Sequence, residues 1–391
     1  MYLRTPEKPT TVITGATGFL GSHLMAAMLT AGYRLIIFGR ASKEGSLRER
    51  ILKLLRWFGI EKADSNLEFV EIDFLKPSLG LEEPEYEDLC MKAQQIVHCA
   101  SDTSFSERKR ESVLNSNVNS LAGILGFASD SRAGFFHYVS TAYVSGMNVK
   151  ICRECLSSST DFLNVYEESK AEAENIIAEY CTQNKLPFTI IRPSVVYGDS
   201  RTGRSLRFNA LYLPIQSVKY MKDIYLNDIL NNEGKKSREL GIHIDKEGYL
   251  FLPLKINLPE RGSLNIIPVD YFVDATMIIL TGAPPGGIFH LTNNSPTRLE
   301  MISVYNEQFM KIRGIEITYG SSVNNYQRNP PEELFDRFME PYRYYLSDNR
   351  VFDRSNTDLV TNNLQPPEFS YEIFKNCMEY AIRVNWGKSI F

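Results

Sequence analysis

No apolar run in this sequence approaches the ~18 residues that a membrane-spanning helix needs. Its N-terminus, MYLRTPEKPT, has none of the apolar core of a secretory signal, so a soluble cytoplasmic chain is expected. Long basic blocks are also missing: acids and bases are spread along all 391 residues, for a formal net charge of -4. Nucleic acid is therefore not expected as a partner. Six cysteines are too few for a disulfide framework in a chain of this length. Cys152 and Cys155, in KICRECLSS, have no second close pair of Cys or His to complete four zinc ligands, so they are read as ordinary loop thiols. The five histidines are scattered without an HExxH, and no metal is expected.

What is present is an alternation. Short β-branched runs, TTVIT (10–14), RLIIF (34–38), LEFVEI (67–72), QIVHC (95–99), FFHYVS (135–140) and FTIIRP (188–193), are separated by helical patterns. That rhythm predicts an α/β fold: a doubly wound parallel Rossmann sheet whose ligand crevice lies at the carboxyl ends of its strands. After Gly198 the rhythm stops. Residues 200–263 and 294–391 are assigned to a smaller α+β substrate-binding lobe, and 1–199 to the nucleotide-binding domain. Residues 264–293 read as strand, helix and strand that rejoin the sheet.

Between the first strand and an apolar helix stands TVITGATGFLGSHL, with Gly15, Gly18 and Gly21 three residues apart. Gly15 can take turn angles closed to other residues. Gly18 lets main chain approach a pyrophosphate, and Gly21 lets the helix pack closely against the sheet. The helix N-terminus then offers unpaired N–H groups to phosphates. A dinucleotide site usually has an acid after its second strand. Here IIFGRASK gives Gly39 and Arg40, with Ser42 and Lys43 close by. A guanidinium binds a ribose 2′-phosphate that a carboxylate would repel, so NADPH is expected rather than NADH.

In NVYEESKAEAENIIAEY, Tyr166 and Lys170 are four residues apart and share a helical face, while Ala173, Ile176, Ile177 and Tyr180 mark the apolar one. A nearby cation stabilises a phenolate and makes tyrosine usable in acid-base chemistry, although such a pair also arises as an ordinary surface contact. Upstream, YVSTAYVSG puts Ser140 and Thr141 at a strand's carboxyl end, where a hydroxyl can bond a substrate carbonyl. Asn117, in NSNVNSLAGILGFA, either faces the same crevice or caps its helix.

Taken together, TGATGFLG, Asp73–Phe74, HCAS (98–101), NVNS (117–120), STAYVSG (140–146), YEESK (166–170) and RPSVVYG (192–198) resemble an extended short-chain dehydrogenase/reductase over about the first two hundred residues. The resemblance implies that Tyr166 is the general acid/base, that Lys170 lowers its pKa and holds the nicotinamide ribose, and that Thr141 supplies the hydroxyl. It places Gly15, Thr17, Gly18, Phe19, Leu20 and Gly21 at the pyrophosphate, Arg40 and Lys43 at the 2′-phosphate, and Asp73 and Phe74 beside the adenine. Cys99, Ala100, Ser101, Asn117 and Ser140 line the cofactor, as do Pro193, Ser194, Val195 and Val196 near the nicotinamide.

Within that superfamily the wording is similar to the thioester reductases and fatty acyl-CoA reductases, also in DFLKPSLGL and NIIPVDYFVDA. That branch implies reduction of an acyl thioester to an aldehyde, with further reduction to an alcohol in some members. Because the chain starts almost at its first strand, a free-standing reductase is expected, fed by acyl-CoA or a separate acyl carrier protein. The alternatives on the same scaffold are a sugar-nucleotide epimerase or dehydratase and a small-ketone reductase. A dinucleotide-sensing protein is the alternative without chemistry. In LYLPIQSVKYMKDIYLNDIL, Leu211, Ile215, Val218, Tyr225 and Ile229 form a helical stripe, read as the lobe's own core or, alternatively, as cover for an acyl chain.

Overall fold

Runs such as TVIT and LIIF are apolar on both faces, as strands of a parallel sheet covered on both sides must be. In the computed structural model, which describes residues 8–61, 66–147, 149–320 and 327–390, they form β1 (Thr11–Thr14) and β2 (Leu35–Gly39), both almost wholly buried. Met1–Glu7 of the N-terminal stretch read above lie outside the described residues. With β3 (Leu67–Glu71), β4 (Gln95–His98), β5 (Phe135–Val139), β7 (Phe188–Pro193) and the strand Gly287–Leu291 they build one seven-stranded sheet. Every pairing in it is parallel, in the order β3-β2-β1-β4-β5-β7 and then Gly287–Leu291. The order reverses on either side of β1, between β2 and β4, which opens the crevice of a doubly wound sheet there.

The crossovers are α1 (Phe19–Thr30), α2 (Leu47–Phe58), α3 (Glu83–Lys92), α4 (Arg110–Leu114), α5 (Leu121–Asp130) and α6 (Val165–Gln183). Local chemistry sets their ends. Ser46 and Glu49 form a capping box on α2, and Gly59 closes it in a left-handed conformation. Asn164 caps α6 through Glu167 N–H. On α6 the apolar face meets the core as expected: Ala173 and Ile177 are fully buried, and Ile176 and Tyr180 pack partly buried against the same cluster as Ile36, Ile124 and Phe136.

The chain divides into two compact units. The first comprises Met1–Ser194, Val269–Thr292 and Val351–Pro366, and the second Val195–Pro268, Asn293–Arg350 and Pro367–Phe391. Residues 351–366, grouped with the second lobe from composition, thus sit with the first unit. Val351–Phe352 pairs in parallel with β6 (Ile151–Cys152), and the carboxylate of Glu154 accepts from His290, Asn356 and Thr357 N–H. The Cys152–Cys155 segment is therefore an anchoring strap, and neither cysteine is in a disulfide. The strand read at 264 does not rejoin the large sheet: Ile266–Pro268 pairs with β8 (Val195–Tyr197) in the second unit, and only Gly287–Leu291 returns.

The second unit has its own small sheet, in which Leu250–Leu258 pairs in parallel with Ile312–Tyr319 and antiparallel with His243–Ile244. Its core gathers Leu211, Ile215, Val218, Met221 and Tyr225 of the helix Tyr212–Asn231 and its cap with Leu252, Phe335 and Phe374. Those side chains are the core reading of the helical stripe. Among the described residues no helix is long and apolar enough to cross a membrane, and no cluster of His, Cys, Asp or Glu could hold a metal ion.

Candidate active site

β1 ends at Thr14 and the chain turns at once. Gly15 has φ +70°, and a Cβ there would stand 2.6 Å from Ala100 N and from the Cys99 carbonyl carbon, beyond the end of β4. At Gly21 a Cβ would overlap the Gly15 carbonyl, so this glycine seats α1 on the turn itself rather than on the sheet. Gly18 is the N-cap of α1; no side chain caps the helix and its first turn holds no acid. The N–H groups that every helix leaves unmatched at its start thus meet neither a competing side-chain acceptor nor a negative charge. Thr17, Phe19 and Leu20 are part-buried around this opening.

Other crevice residues come from the carboxyl ends of neighbouring strands. Thr14 Oγ1 lies 2.9 Å from His98 Nδ1 and accepts from Ala100 N–H at 3.1 Å, tying β1 to β4. Cys99 and Ala100 are part-buried, and burial pushes the Cys99 thiol up to about 12. At the next two strand ends the hydroxyls of Ser140 and Ser194 are buried without a hydrogen-bond partner. Pro193 is buried just before Ser194, whereas Val195 and Val196 belong to the second unit, paired with Ile266 and Ile267. After β2, Arg40 and Lys43 are exposed, and Ser42 bridges to Gly45 in a tight turn. After β3 the Asp73 carboxylate is turned to its own loop, accepting from Leu75 N–H at 3.1 Å, and Phe74 meets the His98 ring edge-on.

Helix α6 brings Tyr166 and Lys170 to the end of β5. Lys170 is 2 % exposed; its ammonium donates to Tyr138 Oη at 3.0 Å and to Val139 O at 2.8 Å and lies 4.4 Å from the centre of the Tyr138 ring. Burial brings its pKa down to about 7, opposed by the fields of Cys99 and Glu174. Two of its three N–H donors are spoken for, which leaves one for a ligand. The Tyr166 phenol is pushed above its ordinary value by burial; a hydrogen bond with the Thr141 hydroxyl lowers it and Glu167 raises it further. Thr141 is itself buried and caps the turn Ala142–Ser145, accepting from Tyr143 N–H.

Asn117 does not cap a helix. It is buried inside a π-helical turn, Asn115–Asn119, and its amide is fully engaged. The amide oxygen accepts from Asp102 N–H at 2.7 Å and from Ser101 Oγ at 3.1 Å, and the nitrogen donates to Asp102 O and to Ser169 Oγ, both at 2.9 Å. Asn117 therefore braces the loop after β4 against α6, one residue before Lys170. Sequence reasoning missed its partners Asp102 and Ser169, and also Tyr138, which holds Lys170. Ser169 is legible only as a neighbour of Lys170 on the helix, and nothing in the sequence singles out Asp102. Also unforeseen is the fully buried pair Arg192–Glu174, joined through two bonds at 2.9 and 2.5 Å, with Arg192 also donating to the Arg153 and Cys155 carbonyls.

The glycine turn with its open helix start, the unpartnered Ser140 and Ser194 hydroxyls and the free donor on Lys170 fit a dinucleotide. Comparison with known proteins agrees. Residues 13–276 match the NAD-binding domain family described as male sterility protein. The chain is 25% identical over 386 residues to the nonribosomal peptide synthetase asaC of Aspergillus flavus, covering 92% of this chain and 34% of that protein. It is 28% identical over 288 residues to the L-2-aminoadipate reductase large subunit of Candida glabrata, covering 67% of this chain and 20% of that one. The chain thus spans about a third or less of the length of these relatives. Its fold is similar to the terminal R domain from the myxalamid PKS-NRPS biosynthetic pathway, with TM-score 0.75 and 22% identity over 98% of this chain and 93% of the other.

Proposed function

This chain belongs to the male sterility protein family of NAD-binding domains, and on that premise we propose that it is an NADPH-dependent reductase of acyl thioesters, delivered by coenzyme A or by an acyl carrier protein. An oxidoreductase of the extended short-chain type with a nicotinamide dinucleotide is the common ground of the family and of the fold. The observation that carries the reading is the convergence of Thr141, Tyr166 and Lys170 at the end of β5, in a sheet where β4 alone separates β5 from β1 and its glycine turn. Support for a thioester comes from the resemblance in sequence to thioester reductases and from a relative named as a reductase of L-2-aminoadipate.

The nicotinamide, when bound, supplies hydride to the acyl carbon. In this reading Thr141 and Tyr166 hydrogen-bond the carbonyl oxygen, and Tyr166 gives it a proton as negative charge develops there. The resulting hemithioacetal releases the thiol and leaves an aldehyde. Burial keeps the Tyr166 phenol protonated at neutral pH, as a general acid requires. Lys170, fixed by Tyr138 and Val139, directs its remaining donor to the ribose and offsets the phenolate that proton transfer leaves. Arg40 and Lys43, exposed after β2, carry the preference for a 2′-phosphate.

The test is NADPH oxidation followed with octanoyl-CoA, an octanoyl carrier protein, octanal and UDP-glucose in parallel. Turnover of the thioesters is expected. Turnover of the sugar nucleotide, with thioesters inert, would reassign the chain within the superfamily.

A further inference from the structure

The loop after β4 is tied to α6 at both of its ends. At its start Asn117 joins the Asp102 backbone to Ser169, and at its far end Arg110 of α4 forms ion pairs with Glu168 of α6 and, within α4's approach, with Glu107. Between these ties the Asp102 carboxylate shapes the loop, accepting from Ser104 N–H at 2.9 Å and Ser112 Oγ at 3.4 Å. Phe105, which follows Ser104, has its ring against that of Tyr166, with centroids 5.9 Å apart and planes tilted by 32°. An aromatic side chain on a loop would ordinarily have several rotamers open to it. Here the backbone beneath it is held from two sides by the helix that carries the phenol.

We propose that Phe105 is a positioning residue for Tyr166: its ring, held by the Asn117–Ser169 and Arg110–Glu168 ties, fixes the orientation of the phenol and shields it from water. The inference rests on Tyr166 being the proton donor. Three elements surround that phenol. Thr141 bonds it from the end of β5, where the Tyr138 hydroxyl also lies, in turn holding Lys170; Glu167, Glu168 and Lys170 share its helix, and the Phe105 loop brings Asp102 and Glu107, with Arg110 just beyond. Phe105 itself carries no charge, so its removal acts on the phenol through packing and solvent. Loss of the ring would let water reach the phenol and bring its raised pKa back toward the ordinary value. The protonated form needed for reduction would then be lost at lower pH, in an alkaline ionisation distinct from that of Lys170, which titrates at about 7.

The experiment compares the wild-type chain with Phe105→Ala, Phe105→Leu and Tyr166→Phe, using NADPH with octanoyl-CoA and with octanal across a pH series. NADPH binding and thermal unfolding are recorded for each. For Phe105→Ala the expected result is kcat lower by about ten- to a hundred-fold, the scale of a misplaced reacting group. NADPH affinity should be unchanged, and the alkaline limb of kcat should move to lower pH. Phe105→Leu, which restores bulk without the ring, should recover part of kcat and return the limb toward wild type. A wild-type pH profile in Phe105→Ala, with Tyr166→Phe inactive, overturns the role of Phe105 and leaves the proposed function standing. A fall in kcat that accompanies lost NADPH binding in both Phe105 variants, with no shift of the limb, marks a structural residue and overturns it too. An active Tyr166→Phe, or a wild-type chain without turnover, removes the reading itself and this role with it.

Discussion

The first unit buries Lys170, Asn117, Thr141, His98 and the Arg192–Glu174 pair, whereas the second fills its interior mainly with Leu, Ile, Phe and Met. Buried polar groups occur in the second unit as well, but they serve its own backbone. Asp228 accepts from the N–H and hydroxyl of Ser237, and Glu332 closes a capping box with Asn329 while accepting from Lys255 N–H. In the first unit the polar groups hold one another at the strand ends and leave the Ser140 and Ser194 hydroxyls without partners. Taking such groups out of water is costly unless they are satisfied. Buried atoms without a partner also occur at His137 Nε2 and Thr276 Oγ1 in the first unit and at Asn306 Oδ1 in the second, but the hydroxyls of Ser140 and Ser194 stand at neighbouring strand ends, where a ligand can complete both. The second unit's interior is in the main a packed apolar core.

The sharpest way to break this contrast is to strike each unit once and ask whether chemistry or folding fails. Tyr166→Phe, in the first unit, should lower turnover about 10²- to 10⁴-fold, the range of general acid catalysis, with thermal unfolding and NADPH binding near wild type. Ile215→Asp, in the second, places a carboxylate where the native side chain is 2 % exposed among Val218, Leu252 and Phe374. A loss of stability of about 3–5 kcal/mol is expected in urea unfolding, from the lost core packing and the unpaired charge. A variant that stays fully stable and instead loses its dependence on acyl chain length would move that helix from core to substrate cover.

Two smaller effects refine the first unit. Arg40→Ala should weaken NADPH by roughly ten- to a hundred-fold, as the loss of a charge-assisted contact costs about 1.5 to 3 kcal/mol, and leave NADH unaffected. Adding Gly39→Asp should then favour NADH, once the Leu47 methyl that a Cβ would meet has shifted. Equal affinity before and after would place the phosphate contact elsewhere. Last, Lys170 has a folded pKa of about 7 against an ordinary 10.5. Between those values the unfolded chain holds the proton that the folded one has lost, so this residue's contribution to stability rises with pH across the window. Relative to Lys170→Met, unfolding free energy should climb by at most about 1.4 kcal/mol per pH unit. A flat difference would mean that Lys170 is charged throughout.

The sheet strands were legible because each is a short apolar run between turn residues, and a parallel sheet buried on both faces demands that. The glycine turn was legible for a similar reason: backbone that must bend at Gly15 and touch at Gly21 leaves glycine as the residue that fits, so the constraint is written in composition. Tyr166 and Lys170 could be paired because helical spacing fixes which residues share a face. By contrast, the choice between a crevice-facing and a capping Asn117 stayed open and its π-helical turn could not be read, since its partners Asp102 and Ser169 come from a loop and a helix brought near only by β4 and α6 packing.

On its own the sequence determined the doubly wound sheet and its glycine turn, which follow from periodicity and local backbone geometry, while Tyr166 and Lys170 became candidates only through the family resemblance that their helical pairing joins. Tertiary structure alone decided what each side chain does. It set Lys170 on Tyr138 and the Val139 carbonyl rather than on Tyr166, turned the Asp73 carboxylate onto its own loop, joined Val351–Phe352 to β6, and made the stripe through Ile215 a core. Those outcomes depend on contacts between residues far apart in the chain, where burial and hydrogen-bond satisfaction, not spacing, select the partner.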